Sequence, residues 1–467
     1  MTKFSRRDFL KFASVGIGTL ASGIGSGCFL RTNKQKPNII YVFADQMRFC
    51  EMGCMGNSYV KTPNLDKLAS QGVMFGNAFS NSPVCSPYRV QLQTGKYTHT
   101  TGEKLNPGER TIPMILKQHG YATGYIGKWH MTANNMLTRN GFVPASFRQG
   151  WDYFAGLECL HSYFQTHYFV NDNPDPIPVN GYEPQVQTDL AIEFIKRSKE
   201  EPFVLMLSWG PPHNPYKPLP VDDIYHPADI LLRPNVPTYF ETYARRDIAQ
   251  YCGLITTLDN EMGRIMAALD DLGIADNTIL CFTSDHGDML YSQGQRLKRR
   301  PWDEACRVPF IIRYPKMIKP GQKKDLLFGS VNIMPTLLGL CEIPSPADVQ
   351  GEDLSAEILG KSNREPEAVL LEIVVPNVRT PYNAQWRAIR TREWLFAQSG
   401  VFEKGDWLLY NVKNDPYQLK NLVADPGYNG KKMELQGLLK DWREKTGDKV
   451  DLRKSFLEKN RFGSSTL

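Results

Sequence analysis

Short apolar runs alternate with amphipathic segments along most of the chain. Four apolar runs predict buried strands, at 38–43, 204–209, 278–283 and 310–312. Apolar residues at helical spacing predict helices at 62–72, 112–118, 190–195 and 243–272. Strands that alternate with helices build a largely parallel sheet, and ligands of such sheets bind beyond the carboxyl ends of the strands. The predicted fold class is therefore α/β, with a large mixed, mostly parallel sheet flanked by helices on both faces.

The pattern changes after about residue 360. Short strands of a second, smaller sheet are predicted at 386–390 and 407–410, and a final helix at 430–445. The connection at 342–367 is rich in Pro, Ser and Asp, which is typical of a domain boundary. We predict a catalytic domain at 36–360 and a C-terminal subdomain at 361–467, with a short antiparallel sheet and a helix.

The first thirty residues have the features of an N-terminal targeting segment. The segment Ser5-Arg6-Arg7-Asp8-Phe9-Leu10-Lys11, followed by a mildly apolar, Gly-rich stretch, resembles a twin-arginine export signal. We expect the twin-arginine translocase to export the protein to the periplasm or cell envelope. Cys28 is a candidate lipid-attachment site that would anchor the chain to a membrane, although Gly25 stands where such sites favour Leu. The anchored and unanchored forms both stay open.

Composition excludes several classes of protein. Hydrophobic residues make up 41% of the 467 residues, enough for a sizeable core. The net charge is +6, and half of it comes from residues 1–27, so the rest is too dispersed to indicate nucleic-acid binding. After residue 30 no apolar run is long enough for a membrane span. The nine cysteines lack paired zinc-ligand spacing, and the sequence selects no disulfide.

One segment carries the decisive chemistry, Cys85-Ser86-Pro87-Tyr88-Arg89-Val90-Gln91-Leu92-Gln93-Thr94-Gly95. It resembles the signature of the type I sulfatases of the alkaline phosphatase superfamily, although Tyr88 stands where Ser is commonest. The resemblance implies that a formylglycine-generating enzyme oxidises Cys85 to formylglycine, whose hydrate is the nucleophile. It also implies hydrolysis of sulfate esters.

Further blocks of the same family follow in order, so that the resemblance covers most of residues 37–425. They are Gly127-Lys128-Trp129-His130, Pro211-Pro212-His213-Asn214-Pro215-Tyr216, Asp285-His286-Gly287, Lys298 nine residues before Arg307-Val308-Pro309, and Tyr410-Asn411-Val412-Lys413-Asn414-Asp415-Pro416. Several matches in register are far more specific than any one of them.

Metal-capable residues follow two of the predicted strands. Asp45 and Gln46 come after the first, and Asp285 and His286 come after the third. With residue 85 they are predicted to bind one divalent metal ion. Oxygen-rich ligation favours Ca²⁺, while one imidazole makes Mn²⁺ or another transition metal an alternative.

The resemblance assigns roles to the remaining site residues. Arg89 and Lys128 would hold and neutralise the hydrate and the sulfate oxygens. His213 and Lys298 would bind sulfate and are candidates to protonate the leaving oxygen. His130 would remove a proton from the second hydroxyl, so that sulfate leaves and the aldehyde returns.

An exported sulfatase is expected to act on an external sulfated polysaccharide or oligosaccharide. Aromatic residues in 150–185 either stack on sugar rings or pack against the core, and both interpretations stay open. The alternatives are a phosphonate or phosphate ester hydrolase or a choline-sulfatase-like enzyme of the same superfamily, and a non-catalytic glycan-binding lipoprotein. His99 and His119 are predicted to be structural.

Overall fold

The computed structural model describes residues 35–132, 139–374, 385–402 and 404–454. The predicted export signal at 1–30 and the candidate lipidation site Cys28 lie outside these residues. Within the described ranges, no helix is both long and apolar enough to cross a lipid bilayer.

Fifteen strands are described. They are β1 (Asn38–Asp45), β2 (Val73–Phe79), β3 (Ala122–Lys128), β4 (Tyr153–Leu157), β5 (His167–Val170), β6 (Ile177–Pro178), β7 (Phe203–Pro212), β8 (Thr278–Ser284), β9 (Arg307–Val308), β10 (Phe310–Arg313), β11 (Gln322–Gly329), β12 (Val369–Ile373), β13 (Trp386–Arg390), β14 (Trp394–Ser399) and β15 (Asp406–Asn411).

The described α-helices include every helix predicted from the sequence. They are α1 (Pro63–Ser70), α2 (Cys85–Thr94), α3 (Thr98–Thr101), α4 (Ile112–Gln118), α5 (Ala145–Arg148), α6 (Glu183–Ser198), α7 (Glu241–Asp271), α8 (Asp303–Cys306), α9 (Ile333–Leu340), α10 (Ser355–Ile358) and α11 (Asn429–Thr446).

The larger sheet has the strand order β11-β2-β10-β8-β1-β7-β3-β4-β5-β6, with β9 paired to β2. Its centre, β8-β1-β7-β3-β4, is parallel throughout. Strand β10 runs antiparallel to both of its neighbours, and β5 runs antiparallel to β4. The predicted class, a mixed and mostly parallel sheet, is confirmed.

Both faces of the central strands are covered, which explains why these strands are continuously apolar. All residues of β1 and β7 are buried. Because successive side chains point to opposite faces, Ile40 packs in one cluster with Leu254 of α7, and Ile39 packs in another with Leu92 of α2. Helices α1, α6 and α7 therefore cover one face, and α2, α4 and α9 cover the other.

The second sheet is antiparallel, with the order β12-β13-β14-β15. Ile389 and Phe396 pack against Leu435 and Leu439 of α11, which covers one face of this sheet. The predicted C-terminal sheet and helix are thus confirmed as part of the fold class. The domain boundary placed at residue 360 stays a prediction.

His99 connects the larger domain to the C-terminal elements. Its Nδ1 lies 2.7 Å from Glu372 Oε2 in β12, and its Nε2 lies 3.0 Å from the carbonyl oxygen of Thr446. Burial alone would lower the pKa of His99, but the hydrogen bond and negative charge of Glu372 raise this pKa above its ordinary value. This arrangement agrees with the predicted structural role.

Replacing His99 by Gln should therefore destabilise the fold in a pH-dependent way. Because the folded pKa is raised, the extra stability is complete below the unfolded value of about 6.5 and is lost as pH rises through the folded value. We expect His99→Gln to lower the free energy of unfolding by about 1.5–3 kcal/mol at low pH, and by less at high pH. Urea unfolding of both proteins at pH 6 and pH 9 measures this. His119→Gln is the control, and an equal loss at both pH values would contradict the account.

Candidate active site

Two neighbouring strands bring the first pair of acidic residues together. Strands β1 and β8 are parallel, with Ala44 opposite Ser284, so the residues that follow them, Asp45 and Asp285, emerge side by side. Both carboxylates are fully buried. The Gln46 backbone N–H donates to Asp285 Oδ1 at 2.9 Å, which links the two strand ends directly.

Helix α2 presents residue 85 and Arg89 to this pair. Cys85 is the first residue of the helix, where free backbone N–H groups favour negative charge. Arg89 lies about one turn later, on the same face. Its Nη2 lies 3.4 Å from Asp45 Oδ2 and 3.3 Å from Asp285 Oδ2. Helix α2 thus places both a candidate nucleophile and its cation in the site.

The same guanidinium also binds the neighbouring strands. Arg89 Nη1 donates to the Lys128 carbonyl oxygen and to Ser208 Oγ, each at 2.6 Å. These contacts fix Arg89 among β1, β3, β7 and the end of β8. Ser208 is a contributor that sequence reasoning missed.

The surroundings of Tyr88 explain how the chain accommodates its one departure from the family signature. Its side chain is buried in the core, and its hydroxyl lies 2.8 Å from the hydroxyl of Tyr41 in β1. The Tyr88 side chain therefore packs against β1 in the core, while Cys85 and Arg89 line the site. The substitution changes core packing and leaves the cluster around residue 85 intact.

Lys128 reaches the site because β3 approaches β7 closely. Gly127 has φ 101°, and a Cβ there would lie 2.1 Å from the Ser208 carbonyl oxygen, so only glycine fits. Lys128 Nζ then donates to Asp45 Oδ2 at 2.5 Å. Although burial opposes it, the charge of Asp45 raises the pKa of Lys128 well above its ordinary value.

Residue 85 lies at the centre of the cluster. Its Sγ is 3.1 Å from Lys298 Nζ, 3.2 Å from His286 Nε2 and 3.4 Å from Asp45 Oδ1. Burial would raise the pKa of the thiol, but Lys128, Lys298 and His286 together hold that pKa well below its ordinary value. The surroundings of residue 85 therefore stabilise an anion.

Two of the histidines that were predicted to lie in the site are neutral at pH 7. Burial lowers the pKa of His130 to about 4, and His130 interacts directly with the Cys85 side chain. Burial, reinforced by the charge of Lys298, lowers the pKa of His213 to about 3. An imidazole that is neutral at pH 7 has a lone pair available to accept a proton, which the base role predicted for His130 requires. A neutral His213 carries no extra proton to give, which favours Lys298 over His213 as the proton donor.

His161 is a third histidine at the site, and sequence reasoning did not place it there. Its ring stacks on His213, with centroids 3.7 Å apart, and its Nε2 lies 3.5 Å from Lys128 Nζ. Most of the other aromatic residues in 150–185 are buried or half-buried, and Phe164 is the exposed one. Most of these aromatic residues therefore take part in packing, and stacking on sugar rings stays a prediction.

The residues predicted to bind a metal fit a divalent cation. One ligand atom each from Asp45, Cys85, Asp285 and His286 lie within 4.8 Å of one another. His286 Nδ1 lies 2.8 Å from the Gly287 carbonyl oxygen and donates to it, which leaves Nε2 free to bind a metal. Gln46 Oε1 is buried and has no hydrogen-bond partner among the described residues. Burial and the charge of Asp45 raise the pKa of Asp285 to about 6, a cost that a bound cation would offset.

All ten residues predicted to form the site are thus brought together around residue 85, and their chemical roles stay predictions. They are Asp45, Gln46, Cys85, Arg89, Lys128, His130, His213, Asp285, His286 and Lys298.

Comparison with known proteins gives one consistent result. A family model described as Sulfatase matches residues 37–343, and one described as N-sulphoglucosamine sulphohydrolase, C-terminal, matches residues 293–445. The first match includes every residue of the candidate site.

Individual relatives agree with the family models. An ulvan-active sulfatase of Formosa agariphila is 37% identical over 442 residues, covering 91% of this chain and 85% of that protein. An endo-4-O-sulfatase of Bacteroides thetaiotaomicron is 29% identical, covering 84% of this chain and 89% of that protein. A structure from Bacteroides fragilis described as a sulfatase has a TM-score of 0.80 at 30% identity, covering 89% of this chain and 97% of that chain.

Replacing Lys128 by an uncharged residue should destabilise the folded protein, because the buried Asp45 carboxylate would lose its ammonium partner. We expect Lys128→Met to lower the free energy of unfolding of chelator-treated protein by about 3 kcal/mol, because a buried carboxylate loses a partner. Added Ca²⁺ or Mn²⁺ should restore more thermal stability to the variant than to the parent protein. Thermal unfolding with and without each cation measures both effects.

Lys96→Met is the matched control. Lys96 pairs with Glu109 and Asp348 near the surface, where such pairs contribute about 1 kcal/mol or less. Equal losses in the two variants, or no rescue of Lys128→Met by either cation, would contradict this account of the site.

Proposed function

Because the chain belongs to the sulfatase family, it hydrolyses sulfate esters, and we propose that it removes them from a polysaccharide or oligosaccharide by means of a formylglycine made from Cys85. The observation that carries this proposal is the position of residue 85. Its side chain lies within 3.4 Å of an ammonium, an imidazole and a carboxylate, at the start of a helix.

Formylglycine supplies a carbon that bears two hydroxyls when hydrated, which serine or cysteine cannot offer. A formylglycine-generating enzyme would have to act on Cys85 before the chain folds, because this side chain is 3% exposed in the folded protein. The intact Cys-x-Pro-x-Arg spacing at 85–89 supports recognition by that enzyme.

The chain's own residues divide the remaining work. Lys298, Lys128 and Arg89 place three cations around residue 85 and its carboxylate neighbours, where they hold and neutralise sulfate oxygens. His130, neutral at pH 7, takes up the proton released at residue 85. Lys298 donates the proton that the departing alcohol requires.

A divalent metal ion completes the proposed site. Asp45, Gln46, Asp285 and His286 would hold it beside residue 85, and the ion would supply Lewis-acid polarisation and charge neutralisation there. Three of these four residues offer oxygen, so we favour Ca²⁺, with Mn²⁺ as the alternative that the imidazole supports.

The proposed substrate class rests on the relatives and on the N-terminal sequence. The similar proteins include an ulvan-active sulfatase and an endo-4-O-sulfatase. The twin-arginine pattern at 5–11 supports export to the periplasm or cell envelope, where polymeric substrates are met, with Cys28 as the candidate lipid anchor. The sugar and the sulfated position are left to experiment.

Sulfate release tests this proposal directly. Protein produced together with a formylglycine-generating enzyme should release inorganic sulfate from oligosaccharides of ulvan or of glycosaminoglycans. Cys85→Ala should lower kcat/KM by about 10³-fold or more, as expected for loss of a nucleophile. Ion chromatography of released sulfate measures this.

Paired aryl esters separate the proposal from its superfamily alternative. We expect an aryl sulfate to be cleaved with a higher kcat/KM than the matching aryl phosphate or phosphonate. The opposite preference would favour a phosphate or phosphonate ester hydrolase. Binding of sulfated oligosaccharides without any turnover, in protein with converted Cys85, would favour a glycan-binding protein.

A further inference from the structure

Asp288 lies next to Gln46 at the candidate metal site, and both oxygens of its carboxylate accept hydrogen bonds. The side chain is fully buried, and it accepts four hydrogen bonds. It follows the Asp285-His286-Gly287 block in the sequence, yet no motif singles it out. Its two oxygens serve two different parts of the site.

The first oxygen controls the side-chain amide of Gln46. Asp288 Oδ2 accepts from Gln46 Nε2 at 2.7 Å and from Tyr216 Oη at 2.6 Å. The second hydrogen of Gln46 Nε2 points to Asn214 Oδ1, at 3.5 Å. Both amide hydrogens are thereby occupied, and Oε1 is the end left without a partner in the described structure. Since an amide has one donor end and one acceptor end, Asp288 decides which end remains for a cation.

The second oxygen holds the segment that carries Lys298. Asp288 Oδ1 accepts from the backbone N–H of Leu290 at 3.0 Å and of Leu297 at 2.8 Å. Five non-glycine residues in this segment have positive φ: Leu290, Tyr291, Gln293, Leu297 and Arg299. Such conformations cost free energy and persist only where the surroundings impose them. Lys298, next to Leu297, reaches Cys85 Sγ at 3.1 Å.

We propose that Asp288 is a positioning residue that orients the Gln46 amide oxygen toward the metal ion, while its second oxygen binds the backbone of the Lys298 segment. The inference about the metal ion rests on the proposed function. No step of the reaction passes through Asp288, which lies behind Gln46.

The substitution Asp288→Asn tests the orientation of the Gln46 amide. The new side chain would keep one acceptor oxygen for four donors, and the two backbone N–H groups cannot turn away. Its NH₂ group would therefore face Gln46, which must reverse its own amide and point Nε2 at the cation. We expect Asp288→Asn to weaken Ca²⁺ or Mn²⁺ binding about 10–100-fold, the usual effect of losing the partner of a metal ligand.

The measurement is isothermal titration of each metal into chelator-treated full-length protein, which requires no turnover. Asp259→Asn is the matched control, because Asp259 is equally buried and accepts three hydrogen bonds from Asn64 and Leu65, away from the candidate site. We expect the control to lower thermal stability without changing metal affinity. Equal metal affinity in Asp288→Asn and the parent protein would overturn the proposal.

A second substitution distinguishes a changed orientation of the residue 46 side chain from general destabilisation of the fold. A carboxylate at position 46 can accept from an amide at position 288 with one oxygen and offer the other to the metal, whereas it would face another carboxylate in the presence of Asp288. In a Gln46→Glu background, Asp288→Asn should therefore strengthen metal binding or leave it unchanged. A loss of the same size in both backgrounds would show that Asp288 acts only by supporting the fold.

This design keeps the two proposals distinguishable. Failure of sulfate hydrolysis, with the expected pattern of metal affinities, would leave Asp288 as the residue that orients Gln46. Normal sulfate hydrolysis, with metal affinity insensitive to Asp288→Asn, would overturn only the inference about Asp288.

Discussion

The buried guanidinium of Arg89, set between the carboxylates of Asp45 and Asp285, is the interaction on which the rest of the site depends. Two adjacent parallel strands deliver these carboxylates to one buried place, where their mutual repulsion would otherwise favour protonation. Arg89 also bonds to Ser208 and to the backbone of Lys128, so one side chain ties helix α2 to the central strands. Since residue 85 is the first residue of the same helix, the contacts that neutralise the acidic pair also place the side chain of residue 85 beside it.

The fold was predictable where burial is complete and less so where it is partial. Strands β1, β7 and β8 are buried on both faces and stand out as continuous apolar runs. Strand β11 escaped prediction because its first half, from Gln322 to Asp325, alternates between exposed and half-buried residues. Gly76 and Asn77 interrupt the apolar run of β2. The parallel centre therefore followed from the sequence, but the antiparallel β10 became clear only from the strand pairing.

The candidate site also contains some residues that were predictable from the sequence and others that were not. Asp45, Gln46, Asp285 and His286 were predictable because they follow buried strands, whose carboxyl ends meet at one edge of a parallel sheet. Residues of the family motifs were predictable from spacing. His161, Ser208 and Asp288 were not, because their contribution depends on contacts with residues far away in the chain, such as the stacking of His161 on His213. Tyr88 shows the converse, since a departure from the motif turned out to be a matter of core packing.

The proposed chemistry requires that Cys85 is oxidised to formylglycine, and the mass of the peptide that contains residue 85 shows whether this oxidation has occurred. Protein from the native host, or from a host with a formylglycine-generating enzyme, is digested and the peptide is analysed by mass spectrometry. We expect a peptide about 18 Da lighter than the cysteine form, since an aldehyde replaces the thiol. An unmodified thiol at residue 85 in active protein from the native host would contradict it.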